Sequence, residues 1–189
     1  MKSLIIGIDI DGVIVDIGMA ILPLLSEVCD RPVVYQDLCS WDLGEALNID
    51  ETTMTDTWKR IFNTDLLRHA PPIDGAIEGL SALSKYEVWL VTSRPISMKE
   101  LTLSWLRENS ASYDHIVFGK RGNKLSVGPT FNIFVEDFIE EASVIAEAGI
   151  FTILFNQPWN NDSELPKNCV RAFDWNSILL FINDYEKST

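Results

Sequence analysis

The chain has little cysteine, and the cysteines it has are poorly placed for joint chemistry. Its 189 residues include 3 cysteines, Cys29, Cys39 and Cys169. They are odd in number, widely spaced and free of any CxxC pair, which indicates neither a disulfide framework nor a zinc site. We therefore expect a reducing, cytoplasmic setting.

Long apolar runs are also missing from the sequence. No segment approaches the roughly 20 apolar residues that a membrane-spanning helix needs. The first residues, Met1-Lys2-Ser3, lead directly into an apolar stretch without the layout of a signal peptide. Internal repeats and low-complexity segments are absent as well. We expect a globular chain with no membrane partner.

Positive charge is scarce. The chain has 15 lysines and arginines against 28 aspartates and glutamates, for a formal net charge of -13. Because binding to a nucleic-acid polymer depends on basic patches, the composition argues against such a partner. Small phosphorylated metabolites stay open as substrates if the site itself is locally positive. The sequence leaves a homodimer open.

The most informative stretch that is present begins at residue 4. Residues 4–8 form an apolar run rich in β-branched side chains, typical of a strand buried on both faces of a parallel sheet. The run ends in two carboxylates, Asp9 and Asp11, followed by Gly12. Since unpaired buried charge is costly and ligands bind at the carboxyl ends of such strands, the acids indicate a site. A capping pair in a strand-to-helix turn is the alternative.

Two acids at this position suit phosphoryl transfer. Asp9 could accept a phosphoryl group covalently, which divides one difficult displacement into two easier ones. Asp11 could protonate the leaving alcohol and later deprotonate the attacking water. Because a carboxylate does not approach a phosphate dianion unaided, this chemistry implies a hard cation such as Mg²⁺, held by oxygen ligands.

The rest of the sequence divides into two parts. Residues 14–70 show helical patterns, an irregular stretch over 30–50 and no evident strand, which predicts a small helical cap inserted after the first strand. From residue 71 strands alternate with helices, which is typical of an α/β, doubly wound parallel sheet. We therefore predict a core domain over residues 1–13 and 71–189. The predicted strands are 4–8, 87–91, 115–118, 131–135 and 150–155, and the predicted helices are 14–28, 51–67, 75–84, 97–108, 138–148 and 174–183.

Polar residues follow the first four predicted strands. Because parallel strands end at the same edge of a sheet, we expect these residues to meet in one crevice. Each group also has a structural alternative: helix capping, a solvated basic turn, or acids placed at a helix N-terminus. The groups are Asp9 and Asp11 after the first strand, Thr92, Ser93 and Arg94 after the second, Lys120, Arg121 and Lys124 after the third, and Glu136 and Asp137 after the fourth.

Four ordered motifs resemble those of a known family. Asp9-Ile-Asp-Gly-Val, Val91-Thr-Ser, a lysine and Val135-Glu-Asp resemble the four signatures of the haloacid dehalogenase-like (HAD) superfamily of phosphohydrolases. The resemblance covers residues 4–155 and implies a HAD-like Rossmannoid sheet with its cap after the first strand. Within the superfamily the chain is similar to the 5′(3′)-deoxyribonucleotidase-like group. That likeness rests on the small cap, Trp41 in Ser-Trp-Asp-Leu, Pro71-Pro72 before Gly75-Ala76, and Pro158-Trp159-Asn160.

The resemblance implies a role for each matched residue. Asp9 would be the phosphoryl acceptor and a Mg²⁺ ligand, and Asp11 the general acid and base, giving its backbone carbonyl to Mg²⁺. Asp137 would also bind Mg²⁺. Glu136 stands where the family often has Asp, which leaves open which of the two acids binds the metal directly. The implied phosphate-binding and substrate-binding residues are Thr92, Ser93, Arg94 and Trp41, with Lys124 as the preferred lysine and Lys120 as the alternative.

The implied function is a Mg²⁺-dependent phosphomonoesterase that works through an aspartyl-phosphate intermediate. The subgroup favours a nucleoside monophosphate as the substrate. A sugar phosphate or another small phosphorylated metabolite is the alternative substrate. A non-enzymatic phosphoacceptor switch is a more distant alternative, because the cap at 14–70 and the acids after the lysine do not fit the layout of a receiver domain.

Overall fold

The structure, a computed structural model, describes residues 4–63 and 65–188. The expectation that no signal peptide precedes the first strand concerns residues 1–3, and the predicted helix 51–67 includes residue 64. Both lie outside the described residues. Among the described helices, none combines the length and the apolar character needed to cross a membrane.

Six strands in the described residues form one parallel sheet. They are β1 Ile5–Ile8, β2 Glu87–Thr92, β3 His115–Phe118, β4 Ile133–Glu136, β5 Phe151–Phe155 and β6 Cys169–Ala172. The strand order is β3-β2-β1-β4-β5-β6. The predicted α/β, doubly wound parallel fold is confirmed. The direction of winding reverses between β1 and β4, which pair in parallel at the centre of the sheet.

Seven α-helices are described beside the sheet and in the segment that follows β1. They are α1 Ile17–Val28, α2 Leu43–Leu47, α3 Glu51–Asn63, α4 Ala76–Ala82, α5 Lys99–Glu108, α6 Ile139–Glu147 and α7 Trp175–Ser188. Short 3₁₀ turns lie at Tyr35–Asp37, Asp65–His69, Leu83–Lys85, Ile96–Met98, Lys124–Ser126 and Pro158–Asn160.

The start of the first predicted helix was wrong by three residues. Val15 forms β-bridges with Asp11 and Pro72, so the chain is still extended there. Asp16 then caps α1, its Oδ1 accepting a hydrogen bond from the N–H of Met19 at 2.9 Å. Pro23 lies inside α1 and does not begin it.

Other differences concern short or exposed elements. The irregular stretch 30–50 contains α2, which Asp42 caps through a 3.1 Å bond from the N–H of Glu45. The predicted helix 51–67 ends at Asn63, and Asp65–His69 forms a 3₁₀ turn. Strand β6 was not predicted because its residues, Cys-Val-Arg-Ala, show little apolar pattern, unlike His-Ile-Val-Phe of the other edge strand β3.

The helices after β1 pack around an apolar cluster that includes Ile21, Leu25, Leu38 and Ile61. The chain enters and leaves this segment through two stretches that lie side by side, 13–16 and 70–73. Their backbones bond to each other: the N–H of Asp16 donates to the C=O of Pro71 at 2.9 Å, and that of Ile73 to Ile14 at 2.8 Å. The assignment of 14–70 as a separate cap stays a prediction.

Two buried tryptophans hold these connecting stretches to the rest of the fold. Trp175 Nε1 donates to the C=O of Val13 at 2.9 Å, and Trp105 Nε1 donates to the C=O of Ala70 at 2.8 Å. Each indole also lies in the main apolar core beneath the sheet. The chain is therefore held to the core both where it leaves the acid pair and where it returns to the sheet.

Candidate active site

The predicted strand-end residues meet at the carboxyl edge of the sheet, between β1 and β4. Asp9 follows β1 directly, and its N–H donates to the C=O of Val135 in β4 at 3.0 Å. Open α/β sheets bind ligands at this position. Thr92 and Lys120 are not among the residues that line the cavity here. The predicted residues that do line it are Asp9, Asp11, Trp41, Ser93, Arg94, Arg121, Lys124, Glu136 and Asp137.

Lys124 lies between two carboxylates. Its Nζ is 2.8 Å from Asp9 Oδ2 and 2.7 Å from Glu136 Oε2, and the residue is only 3% exposed. Burial by itself would lower the pKa of Lys124, but the charges of Asp9 and Glu136 raise it above its usual range. Lys124 is therefore the ammonium beside Asp9, whereas Lys120 is exposed on the loop after β3.

The site has more carboxylates than the lysine can neutralise. Burial raises the pKa of Asp9 to about 8, with Lys124 opposing the shift and Glu136 adding to it. Burial and the charges of Glu136 and Asp9 likewise raise the pKa of Asp137 well above its usual range. Carboxylate oxygens of Asp9, Glu136 and Asp137 all lie within 4.8 Å of one another. Three buried, clustered oxygen donors with surplus negative charge fit a hard divalent cation.

Asp137 is held in place by the turn that follows β5. Trp159 Nε1 donates to Asp137 Oδ2 at 2.9 Å. Asn160 Nδ2 donates to the backbone C=O of Asp137 at 2.6 Å and to that of Phe155 at 2.8 Å. The Pro158-Trp159-Asn160 segment thus fixes both the side chain and the backbone of one candidate metal ligand, leaving its Oδ1 free of these bonds.

Gly12 allows the chain to pass very close to Asp137. Its φ is +78, in the left-handed region that favours glycine. A Cβ at this position would collide with the Asp137 carboxylate, and it would also contact the Trp159 ring. The glycine after the acid pair is therefore required by both backbone conformation and space.

Both carboxyl oxygens of Asp11 accept hydrogen bonds from Arg94, the arginine that follows β2. Arg94 Nε donates to Asp11 Oδ2 at 2.8 Å, and Arg94 Nη2 donates to Asp11 Oδ1 at 2.7 Å. Arg94 Nη1 donates to Thr102 Oγ1 at 3.0 Å. Although burial opposes it, the Asp11 charge raises the pKa of Arg94. Arg94 thus forms a charged fork on Asp11.

The hydroxyls after β2 have different surroundings. Thr92 is buried, and its Oγ1 accepts a hydrogen bond from the N–H of Arg94 at 3.1 Å, which fixes the turn. Ser93 lines the cavity, and its Oγ is buried with no hydrogen-bond partner in the described residues. A buried, unpaired hydroxyl is costly without a ligand, so Ser93 Oγ is a free polar group aimed at whatever the cavity binds.

Glu141 supports Lys124 from behind and was not predicted from the sequence. It is buried on α6, where its Oε2 accepts from the N–H of Gly122 at 2.6 Å and its Oε1 from the N–H of Lys124 at 3.2 Å. These bonds tie the loop after β3 to α6 and so direct Lys124 towards Asp9. In the sequence, Glu141 looks like an ordinary acid in the first turn of a helix.

An aromatic cleft opens outward from the acidic site. Arg121 lies over two rings, with its Cζ 4.9 Å from the Trp41 centroid and 5.0 Å from the Phe138 centroid. Trp58 and Phe62 stack at 5.6 Å within the same cleft. Its volume is about 430 Å³, against about 70 Å³ for the inner acidic cavity. Arg121 was among the strand-end residues expected in the crevice, whereas Phe138, which lines the inner cavity, was not predicted from the sequence.

Comparison with known proteins adds a family match. The model of the "5' nucleotidase, deoxy (Pyrimidine), cytosolic type C protein" family matches residues 3–184. The "Putative nucleotidase BH1399" of Halalkalibacterium halodurans is 27% identical over 187 residues, covering 96% of this chain and 93% of that protein. The "Putative 5'(3')-deoxyribonucleotidase" of Chlorobaculum tepidum is 28% identical over 188 residues, covering 94% and 89%.

Solved structures support the fold. The "putative HAD-hydrolase YfnB" of Bacillus subtilis, solved bound to magnesium, superposes with a TM-score of 0.62 at 16% identity. The match covers 97% of this chain and 100% of that one. At this level of identity the likeness shows the shared HAD-like architecture.

Proposed function

We propose a substrate class and a mechanism from the premise that the chain belongs to the 5′ nucleotidase, deoxy (pyrimidine), cytosolic type C protein family. The chain is a phosphoric monoester hydrolase of the HAD type, not a non-enzymatic switch. Its proposed substrate is a nucleoside monophosphate, and its proposed mechanism is Mg²⁺-dependent transfer of the phosphoryl group to Asp9. The observation that carries this proposal is the buried cluster of Asp9, Lys124, Glu136 and Asp137 at the sheet edge.

The first proposed step forms a covalent phosphoenzyme. A carboxylate oxygen of Asp9 attacks phosphorus, the ester P–O bond breaks, and its electron pair leaves with the nucleoside oxygen. In its protonated form, with the Arg94 bonds accepted on its other lone pairs, Asp11 gives its proton to that oxygen, so that a neutral alcohol departs. Lys124, 2.8 Å from Asp9 Oδ2, lowers the repulsion between the carboxylate and the phosphoryl oxygens.

The second proposed step regenerates the enzyme. Asp11, now a carboxylate, takes a proton from water while the water oxygen attacks phosphorus and the bond to Asp9 breaks. Inorganic phosphate leaves and both aspartates return to their first state. The Ser93 hydroxyl, which lines the cavity, is the proposed side-chain hydroxyl donor to the phosphoryl oxygens, while the buried Thr92 hydroxyl fixes the turn that carries Ser93 and Arg94.

Asp9, Asp137 and the backbone carbonyl of Asp11 are the proposed Mg²⁺ ligands, with Glu136 binding directly or through water. When bound, the ion supplies charge neutralisation on the phosphoryl oxygens. The raised pKa values of Asp9 and Asp137 support this assignment, because they mark negative charge that this chain's own lysine does not offset.

The cytoplasmic setting expected from three cysteines that form no disulfide also stays a proposal.

The aromatic cleft supports a nucleotide over a bare sugar phosphate. A phosphoryl group in the inner cavity would leave the rest of the substrate beside Trp41, Trp58 and Phe62. Flat rings bind a nucleobase by stacking, worth about 1–3 kcal/mol per base. Two relatives carry nucleotidase in their names, which agrees with this choice.

Metal and substrate dependence test the proposal together. We expect phosphate release from deoxynucleoside 5′- and 3′-monophosphates with Mg²⁺, and a loss of at least about 100-fold in EDTA that added Mg²⁺ restores. A panel of nucleotides and sugar phosphates is assayed by phosphate release. Release from sugar phosphates alone would contradict the substrate proposal, and full activity in EDTA would contradict the metal proposal.

A further inference from the structure

Arg94 differs from Lys124 in its partners, because it binds Asp11 and Thr102 instead of the acids Asp9 and Glu136. It is 3% exposed, and it uses Nε and Nη2 on Asp11 and Nη1 on Thr102. Of its five N–H donors, only the second hydrogens of Nη1 and Nη2 remain. Its backbone is fixed as well, through the bond from its N–H to Thr92 Oγ1.

We propose that Arg94 is a positioning residue that orients the Asp11 carboxyl towards the leaving oxygen, and that it is not a phosphate ligand. This inference rests on the proposed function. It replaces the sequence-based expectation that Arg94 binds substrate. The groups left to bind the phosphoryl oxygens are the Lys124 ammonium and the unpaired Ser93 hydroxyl.

The geometry gives Arg94 control over the plane of the Asp11 carboxyl. Two parallel N–H···O bonds at 2.7 and 2.8 Å fix both oxygens of the acid at once. Each carboxyl oxygen has a second lone-pair direction that the Arg94 bonds do not use, and Asp11 lines the cavity. Thr102, fully buried on α5, holds the far side of the guanidinium and stops it from turning.

If Arg94 acts by orienting Asp11, its replacement should slow most the substrates whose leaving group needs the proton of Asp11. In phosphoryl transfer to Asp9, the nucleoside is a poor leaving group. It departs readily only when Asp11 protonates its oxygen as the P–O bond breaks. A nitrophenolate is stable without that proton. A misdirected Asp11 should therefore slow the nucleotide far more than nitrophenyl phosphate, while a lost phosphate ligand should slow both equally.

The test is Arg94→Lys, which keeps the positive charge but removes the planar fork. We expect kcat/KM to fall about 100-fold for a deoxynucleoside 5′-monophosphate and by less than about threefold for nitrophenyl phosphate. Competitive inhibition by inorganic phosphate should keep its wild-type constant. An Arg107→Lys variant, at an exposed site on α5, is the matched control and should behave as wild type.

Because Arg94 is buried, its replacement can disturb folding. A second variant therefore tests the same role without changing Arg94 itself. Thr102→Val keeps the size of the side chain and removes the acceptor of Arg94 Nη1. It should show the same dependence on the leaving group with a smaller loss, about tenfold for the nucleotide. Folding of each variant is checked by circular dichroism and thermal unfolding.

Two results would overturn the positioning role. One is an equal loss on both substrates with weaker inhibition by phosphate, which would make Arg94 a phosphate ligand. The other is wild-type kinetics on the nucleotide in folded Arg94→Lys protein. Failure of the proposed function itself is seen separately, as wild-type enzyme that releases no phosphate from nucleotides.

Discussion

Replacing Asp9 with asparagine should abolish turnover and leave the fold intact. We expect phosphate release to fall by about 10⁴-fold or more, because an amide does not accept a phosphoryl group as a carboxylate does. Stability should hold, because the change removes one negative charge from a buried cluster that has more carboxylates than Lys124 neutralises. The Asn oxygen can still accept a hydrogen bond from Lys124.

The measurement is phosphate release from a deoxynucleoside monophosphate with Mg²⁺, beside thermal unfolding of the same preparations. Asp74→Asn, at an exposed position, is the control for the chemical change and should retain full activity. Turnover by Asp9→Asn within tenfold of the wild-type rate would rule out Asp9 as the phosphoryl acceptor.

Replacing Lys124 with methionine should damage both catalysis and stability. The ammonium binds Asp9 and Glu136 at once in a buried setting, and removal of one partner from a buried ion pair costs about 3–5 kcal/mol. Activity should fall about 1,000-fold, because the phosphoryl group loses a preorganised cation. Lys120→Met removes the exposed alternative lysine and should change neither quantity.

With metal removed by a chelator, the stability of the wild-type protein should fall as pH rises, and that of Lys124→Met should go on falling above about pH 8. A carboxyl whose folded pKa is about 8, against an ordinary value of 3.8, is protonated in the folded protein below about pH 8. Folding then binds a proton, so stability falls as pH rises from about 4 to about 8. Without Lys124 nothing opposes that shift. Urea unfolding of the wild-type protein at about pH 5 and about pH 8 measures this fall, and equal stability at the two pH values would contradict it.

The sequence predicted the features that lie in short continuous stretches. Strand β1 was recognisable because four apolar residues precede two acids, and the acids made sense only at the carboxyl edge of a parallel sheet. Lys124 was preferred from a resemblance, and the structure adds the physical reason, since Lys124 is buried between carboxylates while Lys120 faces solvent.

Contacts between distant segments could not be predicted. Arg94 and Asp11 are 83 residues apart, and nothing in Thr-Ser-Arg-Pro says whether the guanidinium binds substrate or another side chain. Glu141 reads as a helix-terminal acid until α6 is packed against the loop that carries Lys124. Strand β6 has no apolar run to mark it, because Arg171 stands in its middle, and its strand character is seen in its pairing with β5.

The stereochemical course at phosphorus tests the central claim most directly. A nucleoside 5′-phosphorothioate, made chiral at phosphorus with one heavy oxygen isotope, is hydrolysed in water enriched in another. Transfer first to Asp9 and then to water is two in-line displacements, so the account predicts net retention of configuration. Net inversion would mean that water attacks the ester directly, and would contradict the assignment of Asp9 as the covalent acceptor.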